Sequence, residues 1–325
     1  ALWAANNAFV KGMYYRIYFQ VALANEFLRQ TEEAKLRGRG HNDPALRAQI
    51  AEYRAEARFL RALSYWHGID FFANIPLVTG PLVTPPPQAT RQQVFDYVVS
   101  ELNEIMGDLP APGAATYGRA NEWAARMLLA KVYLNAEVYT GTPHWTESMN
   151  EVTAVIGSGV YSLAPVWRNN FLADNHTSPE MIFPVPSDGS SSQAYGNTTF
   201  LIHAACGGSM DPTAYGLASG GCWWGNRLKP EAYNNYNLTN DTARTSFFVV
   251  TGQVPMPNLT NFTDGVAAPK FSNMTSTGTP GSNGTFPDTD FPMFRLADAY
   301  LMYVELNIRG GGGDPATAPR YLNAI

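Results

Sequence analysis

The sequence concentrates its recognition chemistry in one run, Gly220-Gly221-Cys222-Trp223-Trp224-Gly225-Asn226-Arg227. Two indoles sit among glycines that permit tight backbone turns, followed by an amide and a guanidinium. Flat apolar rings beside hydrogen-bonding groups suit non-covalent capture of a ligand with apolar faces and polar edges. The run is poor core material, because adjacent residues of an extended chain point to opposite sides. One of the two indoles packs under a loop as readily as it meets a ligand. Cys206 and Cys222 bracket a Gly-rich interval of 15 residues. A bridge across it would add about 3 kcal/mol in an oxidising compartment, and two free thiols are equally consistent with the spacing.

Other chemistries lack their residues. His41, His67, His144, His176 and His203 never fall at metal-ligand spacing, and no HExxH occurs. Asp288 and Asp290 resemble a fragment of a calcium loop without its Gly and terminal Glu, so calcium has no motif behind it. Neither a GxSxG elbow nor a Gly-rich phosphate loop is present, and Gly157-Ser158-Gly159 ends a helix instead of opening one. Carboxylates such as Glu180, Asp188, Asp211, Glu231 and Asp241 form no recognisable catalytic pair, so the expectation is a binding protein and not a glycosidase. Arg58 and Arg61, one turn apart, read as a solvated helix face. Eight Asn-x-Ser/Thr triplets, those at Asn175 and Asn273 among them, read as the composition of Asn/Thr-rich loops. A net charge of −5 from 22 basic and 27 acidic residues argues against nucleic acid and for a neutral or weakly charged ligand.

The elements that must position these residues fall into two textures. Tyr14, Ile17, Val21, Ala24 and Leu28 define one helix face. Behind an Asp43-Pro44 start signal, Ile50, Tyr53, Ala57, Leu60 and Ser64 define a second. Thr90 and Gln93 form a capping box ahead of Val94, Val98, Leu102, Ile105 and Leu109. Trp123, Met127, Ala130, Leu134 and Val138 predict a fourth helix, and a shorter one begins near Trp145. From 160 to 292 Gly, Pro, Asn, Ser and Thr dominate, predicting a loop-rich insert with short strands. Helical spacing resumes with Phe294, Ala297, Leu301, Val304 and Ile308, giving a scaffold over 1–159 and 293–325 interrupted by the insert. No apolar run reaches the roughly 20 residues of a membrane-spanning helix. Both ends look cut, so the chain reads as a piece of a longer protein.

Several segments resemble the SusD/RagB family of Bacteroidetes surface glycan-binding proteins: MYYRIYFQVALANEFLRQ at 13–30, AEARFLRALSYWHGIDFFANIPLVTG at 55–80, RANEWAARMLLAKVYLNAEVYTG at 119–141, WTESMNEVTAVIGSGVYSL at 145–163, GGCWWGNRLKPEAYNNYNL at 220–238 and FRLADAYLMYVELNIRGG at 294–311. They occur in family order. The resemblance implies a mainly α fold, a right-handed superhelix of tetratricopeptide-like helix pairs carrying a variable ligand-binding region. It implies a lipid-anchored outer-membrane protein, nutrient uptake by polysaccharide utilisation, and a SusC-like TonB-dependent transporter as partner. Within the family the sequence looks most like the starch-binding branch. There an N-terminal Trp and an Asn three residues on belong to the site, matching Trp3 and Asn6, and an aromatic arc completes it, here drawn from Trp223, Trp224 and Tyr195, with Tyr215 in addition. Related members of the RagB kind handle peptides, which is the competing expectation.

Overall fold

The computed structural model describes residues 4–80, 85–111, 116–236 and 245–325. These divide into two compact units, one comprising 1–160 and 296–325, the other 161–295.

The first unit is helical. Helices α1 (Ala8–Gln30), α2 (Glu33–Gly38), α3 (Pro44–Phe72), α4 (Arg91–Ile105), α5 (Glu122–Leu134), α6 (Ala136–Thr140) and α7 (Trp145–Gly157) follow in order, with a two-stranded ribbon of β1 (Ile75–Pro76) and β2 (Gln88–Ala89) between α3 and α4. The start signals act as their chemistry requires: the Asp43 side chain accepts from the Leu46 amide, and the Thr90–Gln93 capping box closes in both directions. The α4 face is the one its spacing predicts, with Val94, Val98, Leu102 and Ile105 fully buried. Each such side chain contributes roughly 1.5–3 kcal/mol.

Helix α3 departs from the predicted face. It packs against both α1 and α4, so its buried residues run over Ala55, Phe59, Ala62, Leu63, Tyr65 and Ile69, whereas Ile50, Tyr53, Ala57 and Leu60 are only half-buried. The predicted fourth helix breaks at Asn135, leaving Val138 exposed on the short α6, which stops at Gly141 in the left-handed region.

Arg61 is not on a solvated face. It is buried between α1 and α4, donating to Asn25 Oδ1 and Glu101 Oε2 at 2.7 Å each. Arg58 donates to Glu101 Oε1 at 2.7 Å and Glu104 Oε2 at 2.6 Å. Burial pushes the Glu101 carboxyl up, but the two guanidinium groups outweigh it and hold the group below its ordinary range.

After the second unit, α10 (Leu296–Arg309) and α11 (Thr317–Ala324) complete the helical unit, α10 against α7 and α11 against α10. Phe294 belongs to strand β6 and not to that helix. Among the described residues no helix is long and apolar enough to cross a membrane.

The second unit is loop-rich. Strand β3 (Met181–Val185) pairs antiparallel with β6 (Phe291–Arg295) through an irregular register, β4 (Arg227–Leu228) pairs with β5 (Val266–Ala267), and the helices are α8 (Asn197–Ala205) and the short α9 (Pro230–Asn235). Side chains satisfy much of its backbone. Buried Asn273 donates to the carbonyls of Gly216 and Asn283 and accepts from the Asp288 amide. Buried Asn175 donates to the carbonyls of Asn170 and Asp290 and accepts from the Asp290 amide.

The Asn-x-Thr triplets have a local explanation. Asn258, Asn261 and Asn283 each accept from the amide of the Thr two residues on, so these triplets are Asx turns. Cys206 and Cys222 are bonded, and together with Ile202 and Leu217 they anchor a small core.

Candidate functional site

The end of α8 builds the ring cluster. A helix leaves its last carbonyls without internal partners, and here the tandem-Trp segment supplies them. The Trp223 amide donates to His203 O at 2.9 Å, Asn226 to Ala204 O at 2.9 Å and Trp224 to Cys206 O at 3.1 Å. The Cys206–Cys222 bond, with Cα atoms 4.8 Å apart, pins the same segment covalently. The segment is thus fixed through its backbone and its disulfide rather than through its rings.

Beneath Trp223 lies buried His203, stacked at 4.4 Å between ring centroids and 21° between planes. Its ring nitrogens face two carbonyls, Gly221 O through Nδ1 and Thr285 O through Nε2 at 2.8 Å. His203 therefore joins the loop carrying Trp223 to the loop carrying Phe286. Tyr195 stands 6.0 Å from Trp223 and 5.2 Å from Phe286. Tyr195 is 67% exposed and Trp223 39%. This gives three neighbouring rings with solvent-facing surface.

Trp224 turns to other neighbours. Its backbone adopts a positive φ of 62°, and its ring lies over Gly207, where a Cβ would stand only 3.1 Å from the indole Cγ. It meets Phe262 edge-on at 5.9 Å. Arg227 holds that arrangement by donating to the carbonyls of Leu259, Asn261 and Asp264.

Tyr215 joins neither group of rings. It packs against the Ile202–Cys206–Leu217 core, and burial pushes its hydroxyl up while Arg168 opposes the shift. Asn6 is exposed in the helical unit, one residue before the α1 cap Asn7, and Trp3 lies outside the described residues. Phe286 and His203 carry no sequence signal that would have placed them here, since the second loop is 82 residues from His203.

Most carboxylates of this unit are engaged in structure, while Glu231 is exposed in the first turn of α9. Glu180 is buried, accepting from Arg295, Asn170 and the Ala164 amide. Asp188 accepts from the Ser190 and Ser191 amides, and Asp211 from the Thr213 amide and hydroxyl. Asp241 lies outside the described residues. Asp288 ties Gly189 to Ser282, and Asp290 accepts from Ser187. No group of three or more His, Cys, Asp or Glu among the described residues is arranged to hold a metal ion.

Comparison with known proteins agrees with a mainly helical fold. Residues 2–134 match the sequence model of a SusD-like family described as starch-binding and associating with the outer membrane. The chain is 30% identical over 358 aligned positions to the starch-binding protein SusD of Bacteroides thetaiotaomicron, covering 95% of this chain and 62% of that protein. A SusD superfamily structure from Parabacteroides distasonis superposes with a TM-score of 0.74 at 19% identity, over 99% of this chain and 67% of the other. Surface glycan-binding protein A of B. thetaiotaomicron, solved with laminarihexaose, gives 0.64 at 21% identity over 85% of this chain and 61% of its own.

Proposed function

The chain belongs to the SusD-like family, and from that premise we propose that it captures a glycan on the Tyr195–Trp223–Phe286 rings without cleaving it. The observation that carries this reading is Trp223: its ring is stacked on a buried histidine, yet the residue stays 39% exposed beside Tyr195. A preorganised ring costs little ordering entropy on binding and offers its free face to the axial C–H groups of a sugar.

An α-glucan of the starch type is the favoured ligand. The starch-binding relative is 30% identical to this chain, whereas the laminarihexaose-bound structure is 21% identical. By family position Trp3, outside the described residues, and Asn6 are further candidate glycan contacts, and Trp224 contributes less than Trp223 because its ring is turned to Phe262 and Gly207. Shallow contacts repeated along a chain favour long oligosaccharides and permit release to a SusC-like TonB-dependent transporter. Placement at the outer membrane through a lipid anchor completes the reading.

Calorimetry with maltoheptaose and laminarihexaose tests it. Trp223→Ala is expected to weaken maltoheptaose binding about tenfold or more, and Trp224→Ala to change it much less. Binding of peptides with no heat from either sugar would overturn the glycan reading in favour of a peptide carrier. Release of reducing ends from starch would overturn the non-catalytic one.

A further inference from the structure

On the β4–β5 side of the tandem-Trp segment lies a cavity of about 420 Å³ lined by Leu201, Asn226, Arg227, Lys270 and Phe271 among others. The charged residues of its lining are both cationic, Arg227 and Lys270, and no lining residue is acidic. Among the described residues Lys270 has no carboxylate partner; its ammonium sits 4.0 Å from the centroid of buried Phe171. Arg295 faces the same ring at 5.5 Å and is paired with Glu180. Arg168 donates to the carbonyl of Pro269, the residue before Lys270, and lies over Phe247. Arg227 is committed to backbone carbonyls. Glu180 is the one carboxylate among these contacts, against Arg168, Lys270 and Arg295. A part-buried cation left in that state gains from an incoming anion, because the desolvation it has already undergone strengthens the attraction.

We propose that this cavity binds a carboxylate-bearing sugar, a uronic-acid residue, with Lys270 as the counter-charge, Asn226 as a hydroxyl partner and Phe271 with Leu201 as the apolar wall. Choosing a sugar as the carrier of the carboxylate rests on the glycan-binding reading; the demand for an anion does not. The Tyr195–Trp223–Phe286 rings do not line this cavity, so the two proposals fail separately.

Burial, and then the charge of Arg295, lowers the Lys270 amine to about 8. A bound carboxylate favours the protonated amine and raises that value. Affinity is therefore full below pH 8 and falls as pH rises above it. Arg295, whose charge acts on Lys270, and Arg227, which lines the same cavity, are guanidinium groups that keep their charge over this range.

The test is calorimetry with methyl glucuronide, methyl glucoside and acetate on the full chain. Methyl glucuronide is expected to bind about tenfold or more tightly than methyl glucoside, with affinity falling above pH 8. Lys270→Met should abolish the preference while an unchanged circular dichroism spectrum and thermal midpoint show that it folds, and Lys270→Arg should keep the preference while losing its pH dependence. Equal affinity for the charged and neutral glycosides would overturn the proposal. So would acetate binding as tightly as the glucuronide, which marks an adventitious ion only.

Discussion

The two units bury polar groups in different ways. In the helical unit the buried or half-buried charges pair with each other across elements: Arg61 with Glu101, Arg126 with Glu151, Lys131 with Asp298. In the loop-rich unit one such pair, Arg295 with Glu180, stands beside many uncharged amides and hydroxyls, such as Asn175, Asn273 and Thr289, that bind the main chain. The cause lies in the backbone. A helix satisfies its own amides and carbonyls, leaving side chains to meet side chains, whereas an irregular segment must recruit side chains to its main chain. Long loops can then be rigid enough to hold rings in place.

The largest effect that would sharpen this contrast is expected at Glu101. Glu101→Gln leaves Arg61 buried without its counter-charge, at a cost of about 4 kcal/mol in the helical unit, read as loss of hydrogen-exchange protection in α3 and α4. The wild type should also lose stability in acid by a predictable route. The Glu101 carboxyl is held below its ordinary value in the folded chain, so its contribution is present above the unfolded value of about 4.3 and is lost as pH falls through the folded one. The variant should show a shallower acid limb. An acid limb unchanged from wild type would mean that the pair is not what links stability to pH.

The same contrast explains what could be read in advance. Caps and stripes are local, so Thr90–Gln93 and the α4 face were legible. The α3 face was not, because a helix covered by neighbours on two sides has no single stripe. Phe294 fits the helical spacing that follows it, but β6 runs into α10 without a break and claims it. Trp223, Trp224 and Tyr195 stood out as aromatics in Gly-rich text, while the division of labour between the two indoles needed their neighbours. Asn-x-Thr triplets were visible only as composition, although three of them are Asx turns. His203 and Phe286 depend on a contact across 82 residues that no local pattern encodes.

The next effect belongs to the loop-rich unit. Replacing Cys206 and Cys222 together by Ser should destabilise it by about 3 kcal/mol through the freed 16-residue separation, and reductant should mimic this in the wild type. Exchange protection of α8 should fall while that of α4 holds. Asn273→Ala should follow at about 2 kcal/mol, since it strands the Gly216 and Asn283 carbonyls and the Asp288 amide. If both changes lowered α4 protection as much as that of α8, the two units would not be separate in energy.

The smallest effect tests whether the helical unit's local signals carry weight beside its packing. Thr90→Ala removes the side-chain acceptor of the Gln93 amide and half of the reciprocal box, at a cost of about 1 kcal/mol. The loss should be confined to the first turn of α4 in hydrogen exchange, because Val94 and Val98 remain buried and continue to hold the rest of the helix. Serine at this position keeps the acceptor and should restore the stability. A loss that spread along α4, or that serine failed to rescue, would mean the cap orients the whole helix against α3.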